Sequence, residues 1–211
     1  MISDSGEGRA YITVLDDDGY LPLARAVSEQ LASRARSIII KSASVSADSW
    51  AILSHGLSEK LGQLGVRQAS FIGMGAGATL AQNLALNEPR AVRSMAVIDS
   101  ATRPHPSFWQ RFTDALESRL PFGLPLRLGS RGFNVSSYVH RFRCPLLIVS
   151  TNRASTFIRN ELQQLARLAP TAWQVDISTM DGDGQGAALA QTILAFQETP
   201  VKCPQKNAGG R

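Results

Sequence analysis

The chain of 211 residues has little cysteine, little histidine and no long apolar run. Its two cysteines, Cys144 and Cys203, lie far apart in the sequence, so we expect reduced thiols rather than a disulfide framework. No stretch approaches the roughly 20 apolar residues that a membrane-spanning helix needs. The polar N-terminus MISDSGEGRA is unlike a secretory signal. These absences predict a cytoplasmic protein with no transmembrane segment, no metal site and no cofactor.

Short apolar runs alternate along the chain with segments of helical periodicity, the βαβ pattern of a parallel sheet. The runs predict strands at 11–16, 37–41, 69–74, 94–99, 144–150 and 173–178. The periodic segments predict helices at 21–33, 48–64, 76–86, 107–120, 158–168 and 184–196. The chain length and the 44% hydrophobic content suit one globular domain, which we place at residues 10–197. We expect residues 1–9 to be flexible and residues 198–211 to form a disordered tail.

Residues 101–143 differ from the rest of the chain in charge and regularity. They hold seven arginines against two acidic residues, while the whole chain has a formal net charge of +5. Glycine and proline interrupt the second half of this stretch, and no periodicity survives there. Long irregular excursions in compact domains are usually functional or disordered, and the aromatic content here argues against disorder.

A strand, a tight glycine turn, a helix and a further strand lie between residues 69 and 99. Gly73, Gly75 and Gly77 alternate at the turn, which permits close backbone approach and strained dihedrals. One interpretation is a dinucleotide site, with Gly73, Gly75 and Ala78 in the permissive form of the Rossmann fingerprint and Asp99 ending the next strand.

The second interpretation is a nucleophile elbow, the G-x-S-x-G turn of α/β-hydrolases. The sequence resembles this family from about Tyr11 to Phe196, through an apolar strand, a small-residue turn, an alanine-rich helix and a proline-led later strand. The resemblance implies a predominantly parallel sheet of about six strands flanked by helices, without the family's two N-terminal antiparallel strands. It also implies a cap at 101–143.

Three residues that do catalysis in the family are replaced in this sequence. Gly75 stands at the nucleophile position, Ala154 where the acid is expected, and Asp183 where the histidine is expected. Glycine has no nucleophilic side chain, so no acyl-enzyme can form there. The loop that usually helps to form the oxyanion hole contains three consecutive acids, residues 16–18, which oppose a developing negative charge.

These replacements favour a catalytically inactive protein that acts by binding a protein or another ligand. Two alternatives remain open. One is an active enzyme of the same fold with displaced chemistry, for which Asp99 and His105 are the best candidates because they follow a strand's carboxyl end. The other is the dinucleotide-binding domain.

For the binding interpretation, residues 101–143 are the expected contact surface. Aromatic residues and arginines are enriched at the energetic centres of interfaces, and Trp109, Arg111, Arg127 and Arg131 have these types. The local positive charge favours an acidic protein partner. We expect no nucleic acid as partner because the chain has no nucleic-acid-binding motif and few clustered lysines.

Overall fold

A computed structural model describes residues 3–41, 50–100, 136–169, 172–179 and 183–199 of the chain. Seven strands lie in these ranges: β1 (Ser3–Ser5), β2 (Ala10–Leu15), β3 (Arg36–Lys41), β4 (Ala69–Met74), β5 (Val92–Ile98), β6 (Leu146–Ser150) and β7 (Ala172–Asp176). Five helices accompany them: α1 (Leu21–Ala32), α2 (Trp50–Gln63), α3 (Gly77–Asn87), α4 (Thr156–Leu168) and α5 (Asp183–Glu198). Short 3₁₀ helices span Asp18–Tyr20 and Ser136–Arg141.

The strands form one open sheet in the order β1-β3-β2-β4-β5-β6-β7. All neighbouring pairs are parallel except β1 with β3. β2 and β4 lie in the middle, and every residue in each of them is buried. This agrees with their nearly continuous apolar sequences, which are typical of strands covered on both faces. The prediction of a mostly parallel sheet flanked by helices is confirmed.

Side chains that alternate along each strand feed two separate hydrophobic cores. On one face Ile12 and Val14 of β2 pack with residues of α2, α3 and α4. On the other face Tyr11 and Leu15 pack with residues of α1 and α5. The sheet therefore has helices on both sides, and its carboxyl edge is left for loops. Among the described residues, no helix is both long enough and apolar enough to cross a lipid bilayer.

The structure adds a strand where the sequence analysis expected a flexible N-terminus. Ser3–Ser5 pairs antiparallel with β3 at the sheet edge. Two guanidinium nitrogens of Arg36 donate to the Asp4 carboxylate, Nε to Oδ1 at 3.0 Å and Nη2 to Oδ2 at 2.7 Å. The segment has no apolar residue, so hydrophobic periodicity could not indicate it. The predicted helix at 107–120 lies outside the described residues. So does the predicted tail 198–211 beyond residue 199, and Glu198, its first residue, is the last residue of α5.

Helix α3 approaches the sheet so closely that two of its contacts leave no space for a side chain. A Cβ atom on Gly73 would lie 2.2 Å from the Cα of Ala78, and one on Gly77 would lie 2.4 Å from the carbonyl oxygen of Val14. Real Cβ atoms do not approach other atoms to such distances. The two outer glycines of the turn thus let α3 lie directly on β2 and β4.

We predict that Gly73→Ala lowers the free energy of unfolding by about 2–3 kcal/mol, because the methyl group must displace backbone atoms of α3. Gly56→Ala is the matched control, since Gly56 is exposed in α2 and an added Cβ meets nothing within 4 Å. Gly56→Ala should raise the free energy of unfolding by about 0.5–1 kcal/mol, because alanine has the higher helix propensity. Urea denaturation measures both. Equal effects of the two substitutions would show that close packing is not what requires Gly73.

Candidate functional site

The turn between β4 and α3 has the backbone form of an elbow. Gly75 adopts a φ of 58°, in the left-handed region that favours glycine. Its amide donates to the carbonyl of Ile98 at 3.0 Å, and its own carbonyl accepts from the amide of Ala78 at 3.2 Å. The turn therefore leaves the carboxyl edge of the sheet sharply and enters the helix within two residues.

The space above Gly75 is occupied by two side chains from the loop after β2. A Cβ on Gly75 would lie 2.9 Å from Cε2 of Tyr20 and 3.1 Å from Oδ1 of Asp16. The same Asp16 oxygen accepts a hydrogen bond from the amide of Gly77 at 3.3 Å. A carboxylate of the chain itself thus lies at the amino end of α3, where free amides and the helix dipole favour an anion.

Tyr20 is held over the turn by Arg153, which belongs to the loop after β6. The Arg153 guanidinium lies 5.2 Å from the centre of the Tyr20 ring, a cation–π contact, and it donates to the carbonyl of Gly19. Burial raises the pKa of the Tyr20 hydroxyl well above its usual value, and the nearby charge of Asp99 raises it further. The tyrosine therefore stays neutral at physiological pH.

Asp99 lies buried at the carboxyl end of β5, only 2% exposed, with a φ of 48°. Its Oδ1 accepts from the backbone amide of Thr151 at 2.7 Å, and its Oδ2 accepts from the Thr151 hydroxyl. Burial raises the pKa of Asp99, although the two bonds from Thr151 act against that shift. Both carboxylate oxygens are thus engaged in fixing the loop that follows β6.

The other predicted site positions fall around the same edge of the sheet. Ala154 is buried in the loop after β6, where its amide donates to the carbonyl of Thr151 at 3.2 Å. Asp183 is the first residue of α5, and its side chain lies outside the described part of the structure. The remaining predicted residues also lie outside the described residues: His105, Trp109, Arg111, Arg127 and Arg131.

The acidic loop after β2 is engaged within the chain. Asp17 accepts from the amide of Gly19 at 3.0 Å, and Asp18 accepts from Lys41 at 2.6 Å. Within the described ranges, no group of three or more histidine, cysteine or carboxylate side chains is arranged to hold a metal ion.

Sequence reasoning did not identify Tyr20, Thr151 or Arg153 as parts of this site. The loop containing residues 16–18 was assigned to the oxyanion region, and Tyr20 follows that loop by two residues, so position alone could have indicated it. Thr151 and Arg153 belong to no motif. Only the folded chain brings them beside Asp99 and Tyr20.

No protein-family model matches the chain, and no curated protein matches it. Solved structures do resemble it. An enol-lactonase from Burkholderia xenovorans has a TM-score of 0.69 at 16% identity, with 93% of this chain and 95% of that chain covered. A thermophilic esterase from Thermogutta terrifontis has a TM-score of 0.68 at 14% identity, covering 92% and 91%.

A third structure, a meta-cleavage product hydrolase from Pseudomonas fluorescens, has a TM-score of 0.68 at 16% identity, with 92% of each chain covered. The chain spans nearly the full length of all three relatives. These likenesses show that the chain has the α/β-hydrolase fold, as the resemblance implied.

We predict that Asp99→Asn changes the pH dependence of stability. A raised pKa in the folded state means that Asp99 contributes its full stability below its unfolded-state pKa of about 3.9 and loses it as the pH rises through the folded-state value. The wild-type chain should therefore lose stability relative to Asp99→Asn as the pH rises above about 4. Urea denaturation at several pH values measures this difference.

Asp176→Asn is the control with the opposite sign. Hydrogen bonds from the hydroxyl and the amide of Ser178 lower the pKa of Asp176, so its contribution is present above the unfolded-state pKa and is lost as the pH falls. The free energy of unfolding of the wild-type chain should rise relative to that of Asp176→Asn as the pH increases through the range in which aspartate ionises. The same slope for both variants would contradict the account of Asp99.

Proposed function

We propose that this chain is a catalytically inactive protein of the α/β-hydrolase fold that acts by binding a protein or another ligand. The proposal rests on the elbow, where the nucleophile is missing and the space above Gly75 is occupied. Gly75 offers no nucleophile, and the Tyr20 ring and the Asp16 carboxylate occupy the space into which a nucleophilic side chain would project. The replacement of the nucleophile is thus accompanied by a filled site.

The position of Asp16 also opposes the electrostatics of acyl transfer. That chemistry needs backbone amides that point at a developing oxyanion. The elbow's own contribution would be the amide of Ala76, the residue after the nucleophile position. The Asp16 carboxylate lies next to it, where it accepts from the amide of Gly77. A second negative charge beside it would be repelled rather than stabilised, so the residual electrostatic catalysis that other triad-lacking sites retain is also opposed.

Two alternative functions are less well supported by the same contacts. An enzyme with displaced chemistry needs Asp99 to act on His105 or on substrate, whereas both Asp99 oxygens already accept from Thr151. A dinucleotide site needs the amino end of α3 for a pyrophosphate, whereas Asp16 already supplies an anion there.

We predict that the purified chain does not hydrolyse p-nitrophenyl esters above a matched buffer control, and that Gly75→Ser does not gain this activity. The substituted chain should still fold, at a cost of about 1–3 kcal/mol, because serine is strained at this φ and must displace Tyr20. Initial-rate assays and thermal unfolding of both proteins test this.

Efficient ester hydrolysis by Gly75→Ser would contradict the proposal, since it would require a general base in the site. The double variant Gly75→Ser with His105→Ala would then show whether His105 is that base. Turnover by the wild-type chain would contradict it more directly.

The proposed binding surface is the arginine-rich and aromatic segment 101–143, and an acidic protein is the proposed partner. We predict that Trp109→Ala combined with Arg127→Glu and Arg131→Glu leaves the thermal midpoint nearly unchanged but weakens capture of the native partner at least ~10-fold. Quantitative co-purification from the native source measures this. Undiminished capture by the folded variant would place the interface elsewhere.

A further inference from the structure

The amino edge of the sheet, opposite the elbow, carries most of the basic side chains in the described part of the chain. These residues, which we call the basic rim, lie in the loops that precede the parallel strands and in the last turns of the helices. They are Arg9, Arg34, Arg36, Lys60, Arg67, Arg90, Arg93, Arg141, Arg143 and Arg167. All except Arg36 are exposed.

Strands β2 to β5 begin at one level, so the basic residues before them form a row, whereas β6 begins three residues further on, opposite Met95 of β5. Ala10 of β2 pairs with Arg36 of β3 and with Ala69 of β4, and Ala69 pairs with Val92 of β5. Neighbouring strands lie about 4.8 Å apart. The basic residues next to these positions therefore follow the sheet edge at short intervals. Consistent with this, the nearby charges of Arg9 and Arg93 both act to lower the pKa of the Tyr11 hydroxyl, against the larger effect of burial, which raises it.

Acidic residues in the same loops and helix ends are fewer, and two of them have partners. They are Asp4, Glu7, Glu29, Glu88 and Glu198. Asp4 is paired with Arg36 at 2.7 Å, and Glu88 accepts from Ser58. At the opposite edge, five acidic residues lie with three basic ones, so acidic residues are in excess: 16–18, Asp99 and Asp176 against Lys41, Arg153 and Arg159. The two ends of the sheet thus carry opposite charge, and the resulting dipole orients the rim toward a negatively charged surface.

The large apolar side chains that are exposed in the described residues lie toward the β6–β7 side of the sheet, with Trp173 at the level of Leu147 and Ala96 rather than at the rim itself. Tyr138 is 41% exposed, Leu168 44% and Trp173 39%. Tyr138 precedes β6 and stacks with Arg141 at 5.9 Å, Leu168 ends α4, and Trp173 lies near the start of the edge strand β7. Tryptophan and tyrosine are the residues that favour the headgroup region of a bilayer.

We propose that the basic rim docks the chain onto an anionic lipid surface. A row of arginines along a level sheet edge matches a flat surface of lipid phosphates and carboxylates, to which each basic residue contributes attraction. Three separate exposed apolar residues on the β6–β7 side of the sheet supply the second signal that stable peripheral binding needs. Tyr138, Arg141 and Arg143 also belong to segment 101–143, so a protein bound to that segment and a membrane would compete for this end of the rim.

Co-sedimentation with vesicles tests the proposal. The chain should bind phosphatidylcholine vesicles that contain about 30% phosphatidylserine, should not bind pure phosphatidylcholine, and should dissociate as salt rises. Arg9→Glu with Arg67→Glu should lower the partition coefficient at least ~30-fold. For Arg9→Glu alone, the matched control is Arg25→Glu, an exposed residue away from the rim whose reversal changes the net charge equally. It should stay within about threefold of the wild type.

Tryptophan fluorescence gives a second readout. In a Trp50→Phe and Trp109→Phe background, Trp173 should shift to shorter wavelength on anionic vesicles and be quenched by brominated lipid. No sedimentation with anionic vesicles at low salt would overturn the proposal. So would equal losses in Arg9→Glu and Arg25→Glu, or binding of duplex RNA without binding of vesicles. None of these outcomes depends on ester hydrolysis, so this proposal and the proposed function fail separately.

Discussion

Helix α3 lies on β2 and β4 at a distance that only glycine allows at Gly73 and Gly77, and the geometry of the carboxyl edge depends on this contact. The turn that enters the helix is forced into a left-handed conformation at Gly75. The close approach also brings the amino end of α3 against the loop after β2. Asp16 can then bond to Gly77, and the Tyr20 ring covers the turn. The carboxyl edge at this point therefore presents a glycine beneath a carboxylate and a ring.

The two ends of the sheet differ in what they offer to other molecules. At the carboxyl edge, Asp99 is buried and bonded to Thr151, and Arg153 is engaged with Tyr20 and Gly19. Polar groups there hold the loops of the chain to one another. At the amino edge, nine exposed basic residues and two exposed apolar side chains, Tyr138 and Leu168, face solvent. The carboxyl edge is therefore occupied by the chain's own contacts, and the amino edge is the more accessible end of the domain for a charged partner.

Features that leave a periodic or motif signal could be predicted from the sequence, and features that depend on tertiary contact could not. β4 was predicted at its observed bounds. The alternation of strands and helices predicted the parallel sheet, because strands buried on both faces have nearly continuous apolar sequences. The glycine turn was identified because close approach requires that residue type. β1 was missed since three polar residues carry no pattern, and its pairing depends on Asp4 and Arg36. The roles of Tyr20 and Asp16 arise from contacts with residues about 60 positions away.

Reaction with a serine-directed fluorophosphonate, followed by intact-mass spectrometry, tests the central claim most directly. The account requires that no side chain at the carboxyl edge is activated as a nucleophile, because Gly75 has none and Asp16 disfavours the anionic intermediate. The folded chain should keep its unmodified mass after prolonged incubation, as the unfolded chain does. A stoichiometric adduct that forms only in the folded chain, on one residue near Gly75, would contradict the account.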